Sequence, residues 1–179
     1  MEKIDPTFLK RIESEENYTD IIKSGEPFKD ENFLPDSSSL FNPNFTKLSS
    51  GEMKTWKKFT WKRAPEHFKG EEFSVFHGIE PNDIKQGNLG NCYFLSALSS
   101  MAEFPQRIKD IFPIHKVNSA GCYPMNLCVN GQFIIIIVDD YFPYDPLNEV
   151  PAFSKANENE LWVLLLEKAW VSCFRVCFF

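Results

Sequence analysis

The sequence predicts an α+β fold, and three features of the chain lead to that class. An apolar pattern of helical period begins at Cys92 and continues to about residue 102. An Asn130-Gly131 pair separates two strand-like segments, which is the strongest short-range signal for a β-hairpin. A second helical segment, residues 161–170, is apolar on nearly all sides. We therefore expect two buried helices beside a small hairpin, with Cys92 in the first turn of one helix.

The composition is that of a globular chain that does not bind phosphate backbones. The 179 residues suffice for one ordinary domain, and 43% of them are hydrophobic. A formal net charge of −6 argues against a general nucleic-acid binder. Only residues 54–63 mix lysines with aromatic rings, as single-strand binders do. There we favour core packing of Trp56, Phe59 and Trp61, with the lysines solvated, and we predict no nucleic-acid partner.

Cysteine usage predicts a reducing compartment. The chain has five cysteines, no Cys-x-x-Cys pair, and no apolar segment after Met1 of the kind found in a secretory signal. Reduced thiols in a cytoplasmic protein fit this pattern best. The longest apolar runs, residues 133–138 and 161–166, are far shorter than a membrane span, so we predict none.

Taken in order, the chain begins with a polar segment that lacks long elements. Residues 1–50 are rich in turn signals, and their apolar side chains are spaced as in a segment that wraps over a core. An edge strand is expected at residues 71–76. The helix that starts at Cys92 should end at Phe104-Pro105, because the residue before a proline is pushed out of the helical region.

The hairpin and the second helix account for the rest of the chain. The hairpin strands are expected at residues 123–129 and 132–138, and the second is apolar on both faces, which predicts a central, covered strand. Residues 141–153 contain three prolines and predict a long loop. Asn157, with Glu160 three residues later, resembles a capping box at the start of the second helix.

Cys92 is a candidate nucleophile because of its position at a helix start. Exposed N–H groups and the positive end of the helix dipole favour a thiolate over a thiol there. The alternative is a small apolar residue that opens a core helix, since free cysteines are among the most buried residue types.

Gln86 strengthens the interpretation of Cys92 as a nucleophile. A cysteine hydrolase needs a thiolate, a base, a group that orients the base, and donors aimed at the developing oxyanion. A glycine-containing loop is able to bring the Gln86 amide back beside the backbone N–H of Cys92. Taken alone, Gln86 is better explained as an exposed loop residue or a local cap.

Five segments resemble, in order along the chain, the calpains, which are calcium-dependent cytosolic cysteine endopeptidases. The most specific is Gln86 to Leu98, Gln-Gly-Asn-Leu-Gly-Asn-Cys-Tyr-Phe-Leu-Ser-Ala-Leu, which is similar to the family's Gln-Gly-x-Leu-Gly-(Asp/Asn)-Cys-(Trp/Tyr) motif. The other four segments are residues 33–41, 61–66, 138–140 and 160–170. Tyr93 stands where the family usually has Trp, an exchange that we expect to be tolerated.

The resemblance implies a papain-like cysteine protease fold, of which this chain carries the nucleophile-bearing lobe. It makes Cys92 the nucleophile and Gln86 the oxyanion-hole donor. It also implies protein substrates and regulatory calpain-like subunits as partners.

The resemblance further implies a calcium site. Its ligands are the carboxylates of Asp83 and Glu160 together with the backbone carbonyls of Phe76 and Gly78, an oxygen-only set of the kind that Ca²⁺ takes. Without the resemblance, Asp83 is a solvated turn residue and Glu160 a carboxylate near a helix start.

The second half of a papain-like site is not found in these 179 residues. The three histidines, His67, His77 and His115, lack the Gly-His-Ala context of the calpain base, and no Asn-Pro-Trp follows. We therefore expect the second lobe to be absent and the chain to be a truncated, inactive fragment. The alternative is a non-catalytic calpain-like module that binds partners or regulates an active relative.

The resemblance also suggests how the chain divides. We expect an N-terminal extension at residues 1–25, the truncated first protease subdomain at residues 26–170, and an apolar tail at residues 171–179. The tail departs from the family pattern and resembles translation into an intron or a shifted frame.

Overall fold

The computed structural model describes residues 18–41, 49–87, 91–129, 131–155 and 158–177. The fold mixes helices and strands, which confirms the predicted α+β class. The helices are α1 (Tyr18–Ser24), α2 (Ser37–Leu40), α3 (Ser50–Trp56), α4 (Ala64–His67), α5 (Cys92–Ala102), α6 (Pro105–Lys109) and α7 (Trp162–Cys177), with a short 3₁₀ helix at Pro81–Asp83. The strands are β1 (Thr60–Arg63), β2 (Cys122–Val129), β3 (Gln132–Asp139), β4 (Tyr141–Asp145) and β5 (Val150–Pro151).

The two long helices form as the sequence predicts. α5 begins at Cys92 and buries the expected face through Phe94, Leu95, Leu98 and Ala102. In α7 every side chain from Trp162 to Ala169 is buried. Both helices belong to the largest apolar cluster, so the candidate nucleophile lies on an element that is anchored in the core.

The hairpin of β2 and β3 is confirmed, although β3 is not a central strand. The two strands pair antiparallel from Cys122↔Asp139 to Val129↔Gln132, and within the described residues they form a two-stranded sheet. β3 is apolar on both faces because a different layer covers each face. Ile134 and Ile136 face the main cluster, whereas Ile137 packs with residues of the α1 segment.

Residues 141–153 are not the predicted long loop. β4 pairs with β1 on one side and with β5 on the other, in the order β1-β4-β5. Pro143 lies within β4 opposite Trp61, and its carbonyl accepts the Ala152 amide at 2.9 Å. The proline count misled the prediction, because a proline only removes one N–H donor and leaves the carbonyl free to pair.

Two further local predictions were wrong. Residues 71–76 form no strand, and only an isolated parallel bridge joins Ser74 to Glu160. Glu160 precedes α7, which begins at Trp162, so it does not act as the third residue of a capping box. The predicted N-cap, Asn157, lies outside the described residues. The Glu160 side chain instead accepts a hydrogen bond from the backbone amide of His77, in the loop at residues 76–78.

Apart from the apolar clusters, buried charges attach the N-terminal segment to the hairpin. Lys168 of α7 donates to the Asp139 carboxylate, whose other oxygen accepts the Asp30 amide at 2.7 Å. Arg63 pairs with Asp140 at 2.5 Å and also donates to the Phe28 carbonyl at 3.0 Å. These contacts hold residues 28–30 against the core.

Packing of the aromatic residues near position 60 is confirmed. Trp56 and Phe59 are buried with Leu40 and Ala152 in a second cluster, against which Trp61 packs. Among the described residues, no helix is both long enough and apolar enough to cross a membrane.

Candidate active site

Cys92 is the first residue of α5, and its thiol is exposed. Asn91 occupies the N-cap position with φ −110° and ψ 32°, and its side chain makes no capping hydrogen bond. Its carbonyl accepts the amides of Phe94 and Leu95 at 2.9 and 3.1 Å. The earlier amides of an α-helix have no intrahelical partner, so donors accompany the exposed thiol at the positive end of the helix dipole.

α5 presents Cys92 to solvent because its opposite face is fixed on α7. The Phe94 ring stacks on Trp170, with centroids 4.9 Å apart and planes 15° from parallel. Tyr93 is 59% exposed, and its hydroxyl accepts the Trp170 indole N–H at 3.3 Å. The side chains of Tyr93 and Phe94, neighbours in the first turn of α5, are therefore both in contact with Trp170 of α7.

A buried carboxylate from α7 holds Asn91, the residue before Cys92. Oε1 of Glu167 accepts from the Asn91 side-chain amide at 2.7 Å, and Oε2 accepts from the backbone and the hydroxyl of Ser154 at 2.9 and 2.6 Å. Burial raises the pKa of Glu167, and the hydrogen bonds from Ser154 and Asn91 oppose that shift. The network joins the start of α5, α7 and the segment after β5.

The loop before Cys92 runs along that same segment. Lys85 and Lys155 exchange two backbone hydrogen bonds, each of 3.0 Å. Gly87 lies so close to Phe153 that a Cβ atom on the glycine would be 1.9 Å from the Phe153 carbonyl oxygen. Only glycine fits there, which gives the first glycine of the motif a steric reason.

Gln86 lies between these two anchor points and is exposed. Residues 88–90, which connect it to the helix start, lie outside the described residues. The structure thus shows Gln86 and Cys92 at the surface on either side of that connection. Their convergence on one oxyanion stays a prediction.

Three of the four predicted calcium ligands, Phe76, Gly78 and Glu160, lie on two segments that pair beside the start of α7. The amide of Ser74 donates to the Asn159 carbonyl, and the Ser74 carbonyl accepts the Leu161 amide, each at 3.0 Å. This pairing brings the loop that carries the Phe76 and Gly78 carbonyls beside Glu160.

Glu160 is an unusual carboxylate, because it is only 1% exposed. Its Oε2 accepts the His77 amide at 3.0 Å. Burial raises the pKa of Glu160, the His77 hydrogen bond lowers it, and the negative charges of Asp83 and Glu158 raise it further. Asp83 ends the 3₁₀ helix and accepts the Glu80 amide at 2.7 Å.

The donor chemistry of this region fits a hard cation. The buried Glu160 carboxylate feels the negative charges of Asp83 and Glu158, and a bound cation would offset this repulsion. Carboxylate and carbonyl oxygens are the ligands that Ca²⁺ prefers. Among the described residues, no three side chains of His, Cys, Asp or Glu are grouped to hold a metal ion. The predicted set draws two of its four ligands from the backbone, so it would not form such a group.

Each histidine is engaged elsewhere. His67 packs its ring against Phe68 and Tyr144, with centroid distances of 4.7 and 5.6 Å. His77 pairs with Glu158 at 3.3 Å. The ring of His115 lies 3.1 Å from the Lys109 carbonyl and 5.6 Å, centroid to centroid, from the Phe76 ring.

The sequence prediction missed the network of Asn91, Ser154 and Glu167. The available signal was the pair of charged residues, Glu167 and Lys168, inside an otherwise apolar helical segment. Nothing in the spacing of these three residues indicates that they meet, because 76 positions separate Asn91 from Glu167.

Comparison with known proteins finds calpain-type cysteine proteases throughout. Residues 28–176 match the family model described as "Calpain family cysteine protease". The chain is 34% identical over 152 residues to the pig "Calpain-1 catalytic subunit", a match that covers 83% of this chain and 20% of that protein. It is 33% identical over 160 residues to the rice "Calpain-type cysteine protease ADL1", covering 84% and 7%. For "Calpain-5" of Caenorhabditis elegans, the identity is 31% and the coverages are 86% and 23%. The chain thus spans less than a quarter of the length of these relatives.

Proposed function

This chain belongs to the calpain family of cysteine proteases, and we propose that residues 26–170 form the nucleophile-bearing lobe of a papain-like endopeptidase. In this proposal Cys92 attacks the scissile carbonyl of a protein substrate, and Gln86 donates to the resulting oxyanion. Residues 1–25 are then an N-terminal extension, and α1, in its described part, packs against the hairpin through Tyr18, Ile21 and Ile22. α7 continues without a break from residue 162 to Cys177, so the segment after residue 170 extends the helix that carries Glu167.

One observation supports this proposal most strongly, namely the exposed Cys92 thiol at a helix start whose N-cap side chain is turned elsewhere. A structural cysteine on a core helix would lie on the buried face, as Cys173 does in α7. Cys92 instead combines access to solvent with the stabilising end of the helix dipole, which are the two requirements of a reactive thiolate.

We propose that the 179 residues alone do not hydrolyse peptides. The base that accepts the thiol proton and returns it to the leaving amine has no candidate among the three histidines, since in the described residues their contacts are with groups other than Cys92. In this proposal a complete site requires a His and an Asn of the kind that the second lobe of a papain-like enzyme supplies. We place the limited proteolysis of such an enzyme in the cytoplasm, which the free thiols of the described cysteines support.

Alkylation with iodoacetamide tests the role of Cys92, and the exposed Cys128 on β2 is an internal control. At about pH 6.5 we expect Cys92 to react roughly three to ten times faster than Cys128, the factor that corresponds to a helix-terminus effect of about 1 kcal/mol. Mass spectrometry measures both sites in one sample, and Cys92→Ser identifies the signal. Equal rates would contradict the proposal.

We further propose that Asp83 and Glu160 bind calcium with the carbonyls of Phe76 and Gly78. The bound ion would neutralise the buried carboxylate and hold three segments together: the 76–78 loop, the 3₁₀ helix and the start of α7. Millimolar Ca²⁺ should raise the melting temperature of the chain, and Mg²⁺ should raise it less. Asp83→Asn and Glu160→Gln should abolish the increase. Asp20→Asn is the matched control, because the Asp20 side chain on α1 is 71% exposed.

The second candidate function is a non-catalytic calpain-like module, which the engagement of all three histidines favours. In that case the chain binds calpain-type regulatory or catalytic subunits. Its addition would then change the rate at which an active calpain cleaves a protein substrate, and Cys92→Ser would leave that effect intact. A protease role instead requires Cys92 for any effect.

A further inference from the structure

The side chain of Asn91 occupies a capping position without acting as a cap. Asparagine is among the best N-cap residues, because its side-chain oxygen accepts an amide from the first turn of the helix. In this chain the N-cap carbonyl is used normally, but the side chain donates to Glu167. The first turn of α5 therefore lacks the side-chain acceptor that its N-cap residue would ordinarily provide.

Burying the Glu167 carboxylate in the core costs desolvation free energy. Glu167 is 5% exposed, and an apolar side chain of similar size would avoid the desolvation of a carboxylate. Unlike an apolar side chain, a carboxylate makes directional hydrogen bonds. The two oxygens of Glu167 accept from three donors on two separate segments. One of these segments is the N-cap of the helix that carries Cys92.

We propose that Glu167 is a positioning residue that holds the Asn91 side chain away from the N-terminus of α5. The first-turn amides beside Cys92 then stay available to a thiolate or to the oxyanion of a substrate. If Asn91 were released, its carbonyl oxygen would cap those amides and place a partial negative charge where the thiolate forms. This inference rests on the proposed role of Cys92 as the nucleophile and goes beyond it, because it assigns the restraint that keeps the helix start uncapped.

The charge of Glu167 and its hydrogen bond to Asn91 have opposite effects on the thiolate. Removing a buried negative charge near Cys92 favours the thiolate, whereas releasing Asn91 to cap the helix disfavours it. Glu167→Gln removes the charge but is still able to hold both partners, because its carbonyl accepts from Ser154 and its amide donates to the turned Asn91 side chain. Glu167→Met removes the charge and both sets of hydrogen bonds. The comparison of these two variants therefore isolates the effect of holding Asn91.

The experiment measures the iodoacetamide alkylation rate of Cys92 in the 179-residue chain from about pH 5.5 to about pH 9, with Cys128 as internal standard. We expect the pH of half-maximal rate to be higher in Glu167→Met than in Glu167→Gln, and the neutral-pH rate to be about fivefold lower. Adding Asn91→Ala to Glu167→Met should remove this difference, since alanine cannot cap. Identical profiles for the Met and Gln variants, or no rescue by alanine, would overturn the inference.

A second comparison does not change Glu167 and covers the case in which Glu167→Met fails to fold. Serine at position 91 is too short to reach Glu167 but caps helices well, whereas alanine does neither. Alkylation of Cys92 should be slower in Asn91→Ser than in Asn91→Ala, and equal rates would overturn the inference. If Cys92 in the unaltered chain reacts no faster than Cys128, the proposed function fails and the inference fails with it. If Cys92 is activated and the variant pairs agree, only the inference fails.

Discussion

The buried ion pair between Lys168 and Asp139 should make the fold sensitive to a single substitution. The side chains are 4% and 0% exposed. Lys168 also donates to the Tyr141 carbonyl at 2.8 Å, while Asp139 accepts the amides of Asp30 and Tyr141 at 2.7 and 2.9 Å. Burial lowers the pKa of Lys168, and the Asp139 charge opposes that shift. Each of the two side chains therefore needs the other's charge to stay ionised while buried.

Replacing Lys168 with methionine keeps most of the side-chain volume and leaves Asp139 as a buried, uncompensated carboxylate. Breaking such a pair from one side costs about 3–5 kcal/mol. Two backbone amides still donate to Asp139, so we expect the lower end, a loss of about 3 kcal/mol in the free energy of unfolding. Neutralising the partner as well, in Lys168→Met with Asp139→Asn, should recover about 1–2 kcal/mol relative to the sum of the single losses.

Urea unfolding followed by tryptophan fluorescence and far-UV circular dichroism measures these losses. Lys69→Met is the matched control, because the ion pair of Lys69 with Glu149 is largely exposed. We expect its urea midpoint to equal that of the unaltered chain, since exposed pairs add little. A loss below about 1 kcal/mol in Lys168→Met, or additive losses in the double variant, would refute the argument that the two charges stabilise each other.

Three further predictions follow from single contacts. Gly87→Ala should lower both the urea midpoint and the Cys92 alkylation rate, because the new Cβ would overlap the Phe153 carbonyl. Gly78→Ala is the control and should leave the midpoint unchanged, because no atom lies within 4 Å of its Cβ position. Cys122 should resist alkylation in the folded chain at about pH 8, since it is 0% exposed and burial raises its pKa to about 12; rapid labelling would contradict this. Without calcium, the raised pKa of Glu160 means that the folded state binds this proton more tightly than the unfolded state. The resulting stabilisation is present below about pH 4.5 and is lost as the pH rises through the folded-state pKa, and Glu160→Gln should flatten that slope in urea titrations.

The sequence predicts those parts of the fold that depend on local pattern. The helix at Cys92 and the hairpin around position 130 were correct because the periodicity of apolar residues and the turn chemistry are contained in short segments. The strand at residues 141–145 was missed because pairing with β1 is a long-range event across about 80 residues. The prolines suggested a loop, although Pro143 lies within the strand and its carbonyl still accepts the Ala152 amide.

Recognition of the candidate site depended on a different kind of information. A contiguous motif identified Cys92 and Gln86, but the residues that restrain them are distant in sequence. Asn91 is adjacent to Cys92, and the sequence still gives no sign that its side chain points to α7. A hydrogen bond between a loop amide and a helix carboxylate has no periodicity, so pattern reasoning does not detect it.

The charges at and near α7 explain how a regular core positions an irregular site. Apolar contacts are non-directional, so they fix α5 and α7 against each other but do not fix the loops that carry the candidate ligands and the helix start. Glu160 holds the 76–78 loop, Glu167 holds the segments before Cys92 and after β5, and Lys168 holds the end of the hairpin. Each is more than 90% buried and each is directional. Replacing any of them with an apolar residue should therefore preserve the helix while releasing one specific segment. Hydrogen exchange localised to that segment, rather than to α7, is the result expected if these charges orient the loops. Protection lost throughout α7 would instead show that they stabilise the helix itself.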